Sequence, residues 1–319
     1  MFDFVKKIIA KKSCKPTKGF FVHIPKTAGT SFRKGLEHEV NVVTDYPKTQ
    51  SEMVKRVIYD KKDKYGFFQE LKVENSWLAG HVSFRKYSSI YSPLAVCTFL
   101  RDPVEQVLSH YNHFVTHSNY NKGLKHFIGE SRFCNVQSKY LSGVPIELLG
   151  CVGIQENYSE SLDIINHHFN LNLCNGSSNV NNSKTVASQD LDKDLLDLVL
   201  SKNMDDVNLY QKAKLLFTAR YEVFAHSKYE WVHGYYSLDG SILSGIAYFS
   251  KSETPVDLEL EVNGVVIEKL TAKESAKTEL DLLLPRLAHV AFSADLSAIG
   301  DLNSLVVYVS GTRQQLKLL

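Results

Sequence analysis

Phe20-Phe21-Val22-His23-Ile24-Pro25-Lys26-Thr27-Ala28-Gly29-Thr30-Ser31-Phe32 leaves this chain few ways to fold. An apolar run with strand character meets a turn of small and hydroxylated residues and continues into a helical pattern. A strand that feeds a helix through so short a turn begins an α/β unit. The same turn reads as a phosphate cradle. A small, flexible residue at Gly29 lets successive backbone N–H groups converge on one oxyanion, and the new helix aims its positive end there. Lys26 adds a mobile charge, and Thr27, Thr30 and Ser31 add hydroxyls. The lysine precedes the glycine and follows a proline, whereas the P-loop of nucleoside triphosphatases places it after its second glycine. The plain alternative is a strand-turn-helix corner with a surface lysine.

A second strand end carries a matching cation. Leu94-Ala95-Val96-Cys97-Thr98-Phe99-Leu100 has the apolar, β-branched and aromatic content of a buried parallel strand, and it stops at Arg101-Asp102-Pro103. Asp102 suits an N-cap, Pro103 the first helical position, and Glu105 the carboxylate of a capping box. A helix therefore starts at Pro103. Arg101 then ends the strand, with Ser109 about two turns into the helix, where both reach one phosphate. The planar guanidinium fork suits bidentate phosphate binding; pairing with Asp102 or a neighbouring acid is the structural alternative.

The Pro25–Ser31 turn resembles the 5′-phosphosulfate loop of sulfotransferases that use 3′-phosphoadenosine 5′-phosphosulfate (PAPS). The stretch from Leu100 through Arg101 and Ser109 to Tyr111 resembles their 3′-phosphate motif. Between them, Trp77-Leu78-Ala79-Gly80-His81-Val82-Ser83-Phe84 is similar to the Gly-His-Val element of the carbohydrate branch that includes the heparan and uronyl O-sulfotransferases. The resemblance runs over about residues 19–225 in motifs and their order. It implies a PAPS-dependent carbohydrate O-sulfotransferase with PAPS as co-substrate and no metal. His81 would be the catalytic base and Lys26 the residue that neutralises charge on the departing nucleotide. Thr27, Ala28, Gly29, Thr30 and Ser31 would hold the 5′-phosphate, and Arg101 and Ser109 the 3′-phosphate. Asn179-Val180-Asn181-Asn182-Ser183-Lys184 is loosely similar to a segment near the nucleotide, so Lys184 is either a nucleotide contact or a solvated loop lysine. Without the resemblance, His81 reads as a hydrogen-bonded core histidine.

The pattern changes near Ser227. Before it, strands alternate with helices, including 159–169, 191–201 after Ser188 as a cap, and 207–217, which predicts an α/β domain with a mainly parallel, P-loop-like sheet. After it come short strands at 241–249, 256–262, 265–270, 288–292 and 305–310, with Asn263-Gly264 as a hairpin turn. The expected organisation is a basic segment 1–18, a sulfotransferase domain 19–226 and an accessory antiparallel β-sandwich 227–319. The β region weakly resembles accessory domains of bacterial glycan-modifying enzymes. It is open to glycan binding, subunit pairing or buttressing. Residues 227–319 hold 8 Lys and Arg against 12 Asp and Glu, so the basic surplus lies in the part that must hold an anionic nucleotide.

A net charge of +2 does not suit a general nucleic-acid binder. Five cysteines, Cys14, Cys97, Cys134, Cys151 and Cys174, form no Cys-x-x-Cys pair and leave one over, which favours a reducing cytosol. No apolar stretch has the length of a membrane helix, and residues 1–18 lack the core and cleavage site of a signal peptide. Those residues read as a frayed basic terminus, with peripheral contact to the inner face of an anionic membrane left open, as is a homo-oligomer. His110, His113 and His117 recur at helical spacing but lack a His-Glu-x-x-His or Glu-x-x-His pattern, so they read as helix-surface or acceptor-groove residues. Two competitors remain: a P-loop-type nucleotide kinase or hydrolase, and a non-catalytic glycan-binding protein on the same fold.

Overall fold

A computed structural model describes residues 18–74, 76–174, 186–226, 230–278 and 281–319. The Lys184 expectation lies outside the described residues, as does the basic segment 1–18 apart from Lys18. The first half alternates strands and helices: β1 (Phe20–Val22), α1 (Gly29–Glu39), β2 (Val42–Asp45), α2 (Lys64–Glu74), β3 (Trp77–Gly80), β4 (Val96–Leu100) and α3 (Pro103–His117). Two short helices, α4 (Leu124–Phe127) and α5 (Val136–Tyr140), lead to β5 (Cys151–Ile154), α6 (Tyr158–Phe169), α7 (Lys193–Lys202) and α8 (Met204–His226). The strands pair in the order β2-β3-β1-β4-β5, all parallel. β1, β3, β4 and β5 are buried along their whole length, as a sheet covered on both faces requires. Helices flank this sheet, as the alternating pattern predicts.

Order and register together place the site. Val22 pairs with Gly80 on one side and with Thr98 on the other, so the chain leaves β1, β3 and β4 at neighbouring points on the carboxyl edge. In an open parallel sheet that edge is where ligands bind, at the point where strand order reverses.

The last third forms β6 (His233–Asp239), β7 (Ile242–Tyr248), β8 (Val256–Val262), β9 (Val265–Ala272), β10 (Glu274–Ser275), β11 (His289–Asp295), β12 (Val306–Val309) and β13 (Lys317–Leu318). They make one sheet in the order β10-β11-β7-β6-β13 and another in the order β12-β8-β9. Pairing is antiparallel except for β13 on β6. Leu243 and Phe292 of the first sheet share a buried cluster with Leu258, Leu260 and Val307 of the second. The hairpin turns at Asn263 and Gly264, both at positive φ.

Trp231, Ile246, Tyr248 and Val290 do not join that cluster. They belong to the core of the parallel sheet, which also holds Trp77, Phe99 and Cys151. Strands β2, β3, β5, β6, β10 and β13 lie outside the strands that the sequence pattern predicts, and the helix expected at 207–217 runs from Met204 to His226. Its buried face carries Asp206 and Arg220 as well as Tyr210, Leu216 and Val223, so polar residues at core positions break the apolar periodicity.

Candidate active site

The turn after β1 runs through the left-handed region at Lys26 (φ 69°) and Ala28 (φ 66°), neither of them glycine. Gly29 begins α1, so the flexibility expected of it is not what the turn uses. A side-chain carbon on Gly29 would lie 2.1 Å from Cδ2 of His23, and this close approach is what demands glycine. Ser31 N and Phe32 N donate to Ala28 O, so the amides before them precede the helical ladder. α1 has no side-chain cap and no acid in its first turn. Its positive end is thus free of a built-in anion. The Thr27 hydroxyl is buried and donates to Ile24 O at 3.0 Å, so its expected task passes to holding the turn.

α3 begins differently. Asp102 Oδ1 accepts from Val104 N and Glu105 N, the cap read from the sequence. Glu105 turns instead to the Arg101 guanidinium at 3.1 Å, while Asp102 N donates to Glu156 Oε1. Arg101 also donates to Lys26 O at 3.3 Å, and its backbone is clasped on both sides by the Gln137 amide at 2.9 Å. Gln106 Nε2 reaches Pro25 O at 3.0 Å. The loop after β1 and the start of α3 are therefore stitched together. Burial, then the nearby Arg101 charge, lowers the Lys26 pKa. Two cations near enough for one to lower the other's pKa favour an anion between them. Ser109 lies one turn beyond Glu105 on the same side of α3.

His81 directly follows β3. Its Nδ1 lies 2.6 Å from the carbonyl of His23, and since a carbonyl only accepts, Nδ1 carries the proton and Nε2 presents its lone pair. Burial chiefly lowers its pKa, with the carbonyl bond opposing and Arg33 adding, which favours the neutral ring that can accept a proton. His23 is 4% exposed, and its Nδ1 lies 2.7 Å from the Tyr46 hydroxyl. The His110 pKa is pushed down to about 4 by burial and then by His113, Lys26 and His81. That of His113 is lowered by burial and then by Lys26, His117 and His81. Lys26 and His81 thus lie within electrostatic reach of the α3 histidines. Among the described residues, no group of three or more His, Cys, Asp or Glu is arranged to hold a metal.

Sequence reading missed the support around these groups. Asp45, ending β2, accepts from Tyr59 through one oxygen and from Lys86 (2.6 Å) and Tyr87 (2.8 Å) through the other. Both oxygens of this strand-end acid are thus engaged, unlike those of an open magnesium ligand. Only the pairing of β2 with β3, Asp45 opposite Gly80, brings it beside His81.

No family model matches the chain, and no curated protein matches it by sequence. Among solved structures it is similar to a sulfotransferase from Alicyclobacillus acidocaldarius, with 13% identity and a TM-score of 0.36, covering 66% of this chain and 97% of that one. It is also similar to mouse sulfotransferase SULT7A1 complexed with PAP, with 10% identity and a TM-score of 0.32, covering 60% of this chain and 66% of that one.

Proposed function

We propose that the protein is a PAPS-dependent sulfotransferase acting on a carbohydrate hydroxyl. The observation that carries this reading is the meeting of three strand ends: the Lys26 loop of β1, the base-competent His81 of β3 and Arg101 of β4. PAPS supplies the sulfuryl group. The open amino end of α1 and the loop amides fit its 5′-phosphate, with Lys26 as a full charge beside them. Arg101, with Ser109 on the following helix, suits the 3′-phosphate that sets this donor apart from ATP.

His81 Nε2 would accept the acceptor hydroxyl proton while Nδ1–H stays on the His23 carbonyl, so no reorientation of the ring is needed as charge develops. Lys26 would stabilise negative charge on the leaving side. Catalysis is then mostly positioning and charge stabilisation. His113 and His117 lie exposed on α3, with ring centroids 4.7 Å apart. They suit a hydroxyl-rich acceptor.

Calorimetry with adenosine 3′,5′-bisphosphate against ADP tests the donor. Tighter binding of the bisphosphate is expected, with the preference weakened in Arg101→Ala by about 1.5–3 kcal/mol, the worth of a charge-assisted hydrogen bond. Equal affinity for the two nucleotides would sink the assignment.

A further inference from the structure

His23 stands between the two halves of the site and touches both. Its ring lies against that of His81, with centroids 4.3 Å apart. On the loop side, a carbon added to Gly29 would fall 2.3 Å from Nε2, so the first residue of α1 rests directly on the imidazole. Phe21 stacks on the ring at 5.2 Å, and the Tyr46 hydroxyl holds Nδ1. The backbone of the same residue extends the pairing of β1 with β3. Its N–H donates to Gly80 O at 3.0 Å, and its carbonyl receives His81 Nδ1–H.

The geometry points to His23 as a positioning residue: its carbonyl fixes the tautomer of His81, and its ring sets the placement of His81 and the spacing between that base and the phosphate loop. The kinetic part of this rests on the sulfotransferase reading; the hydrogen bond and the wedged ring do not. A histidine free in solution exchanges its proton between two nitrogens, and a buried carbonyl at Nδ1 removes that choice. The ring itself acts as a spacer that Gly29 presses on one side and His81 on the other. Displacing a reacting group by as little as 1 Å costs about 10²-fold in rate. His23 must also stay uncharged to lie beside a base. Burial lowers its pKa well below the ordinary histidine value, helped by the charges of His81, Arg33 and Lys26. The other groups around His81 are Arg33, Tyr46, His110 and His113.

The test is nitrogen-15 NMR of the histidine side chains in the full chain, alongside kinetics. The unaltered protein should show His81 as a single Nδ1–H tautomer that titrates below the ordinary histidine value of about 6.5. In His23→Ala the carbonyl and the Nδ1–H tautomer stay, but water reaches the His81 ring, and the His81 titration and the acid limb of kcat move to higher pH. kcat falls about 10–100-fold while bisphosphate affinity holds within about threefold. His23→Phe keeps the spacer and should restore most of kcat and of the low titration. Should His23→Ala fail to fold, Gly29→Ala presses the same ring from the loop side and should also shift the His81 titration. An unchanged His81 titration in folded His23→Ala, or in Gly29→Ala, or a mixture of His81 tautomers in the unaltered protein, overturns the proposal. A protein that holds the tautomer yet binds no bisphosphate overturns the sulfotransferase reading instead.

Discussion

The parallel sheet carries a histidine cluster at each end, and the two have opposite characters. At the carboxyl end, His81 commits one nitrogen to a carbonyl and offers the other as a base. At the amino end, His233 Nδ1 donates to Leu149 O at 3.0 Å and Nε2 accepts from the Trp231 indole at 3.1 Å, so neither nitrogen is left for chemistry. His168 there binds Leu94 O at 2.9 Å, and the buried Arg220 donates to Leu149 O and Glu147 O. Each cluster has a glycine pressed by a ring: Gly29 by His23, and Gly150 by His168, 2.8 Å from where its side chain would begin. The residue types match; the cover differs. β6, β7 and Trp231 close the amino end, whereas the start of α1 at the carboxyl end has no side-chain cap. A histidine becomes a base or a strut according to what is packed over its second nitrogen.

The largest contrast should come from deleting one ring at each end. His81→Ala is expected to lower turnover by roughly 10²–10⁴-fold with bisphosphate affinity nearly unchanged. His168→Ala should cost stability while its folded fraction turns over normally. Steady-state kinetics with calorimetry measures both, and wild-type turnover in folded His81→Ala would send the search for the base to His23 or the His110 to His117 face.

Arg220→Ala should lower unfolding free energy in urea by on the order of 3–5 kcal/mol, because two buried carbonyls lose their donor and a cavity remains. A loss within about 0.5 kcal/mol, the usual size of a surface change, would mean that the amino-end cluster is not the strut described. Ending the chain after His226 removes the cover altogether, and aggregation is expected. A soluble truncation that still binds the bisphosphate would show residues 227–319 to be an appendage.

Smallest per measured step is an effect graded in pH. Burial pushes the His168 pKa down to about 4 and lowers that of His233 well below the ordinary value. In the unfolded chain both titrate near about 6.5, so between these values the unfolded state binds more protons and stability rises with pH. Their contribution is therefore complete above about 6.5 and is lost on acidification towards about 4, at up to about 1.4 kcal/mol per pH unit for each histidine. Melting temperatures measured across that window check the sign; a flat profile would contradict it.

Much of the scaffold was legible in the chain. The β1 and β4 runs, the Asp102 cap with Pro103 behind it, and the Asn263-Gly264 hairpin are local, since each depends on residues within one turn of one another. Strands β2 and β6 were not legible, nor was the true length of α8. β2 is short, with alternate residues half-buried, and α8 buries Asp206 and Arg220, whose partners lie far away in sequence. Glu105 shows the same limit. Its spacing suits a capping box, yet Arg101 takes its side chain and Glu156 takes the amide of Asp102.

By itself the sequence determined that a cation-bearing turn would follow each of two buried strands, because strand, cap and helix signals are written in neighbouring residues. Strand order and register decided everything that depends on two elements meeting: His81 against the His23 carbonyl, Arg101 against Lys26 O, Asp45 beside Gly80. A tautomer, a lowered pKa and a tolerated glycine all arise from what lies within a few ångströms in space. For His23 and His81, 58 residues apart in the chain, only the pairing of β1 with β3 brings that neighbour into place.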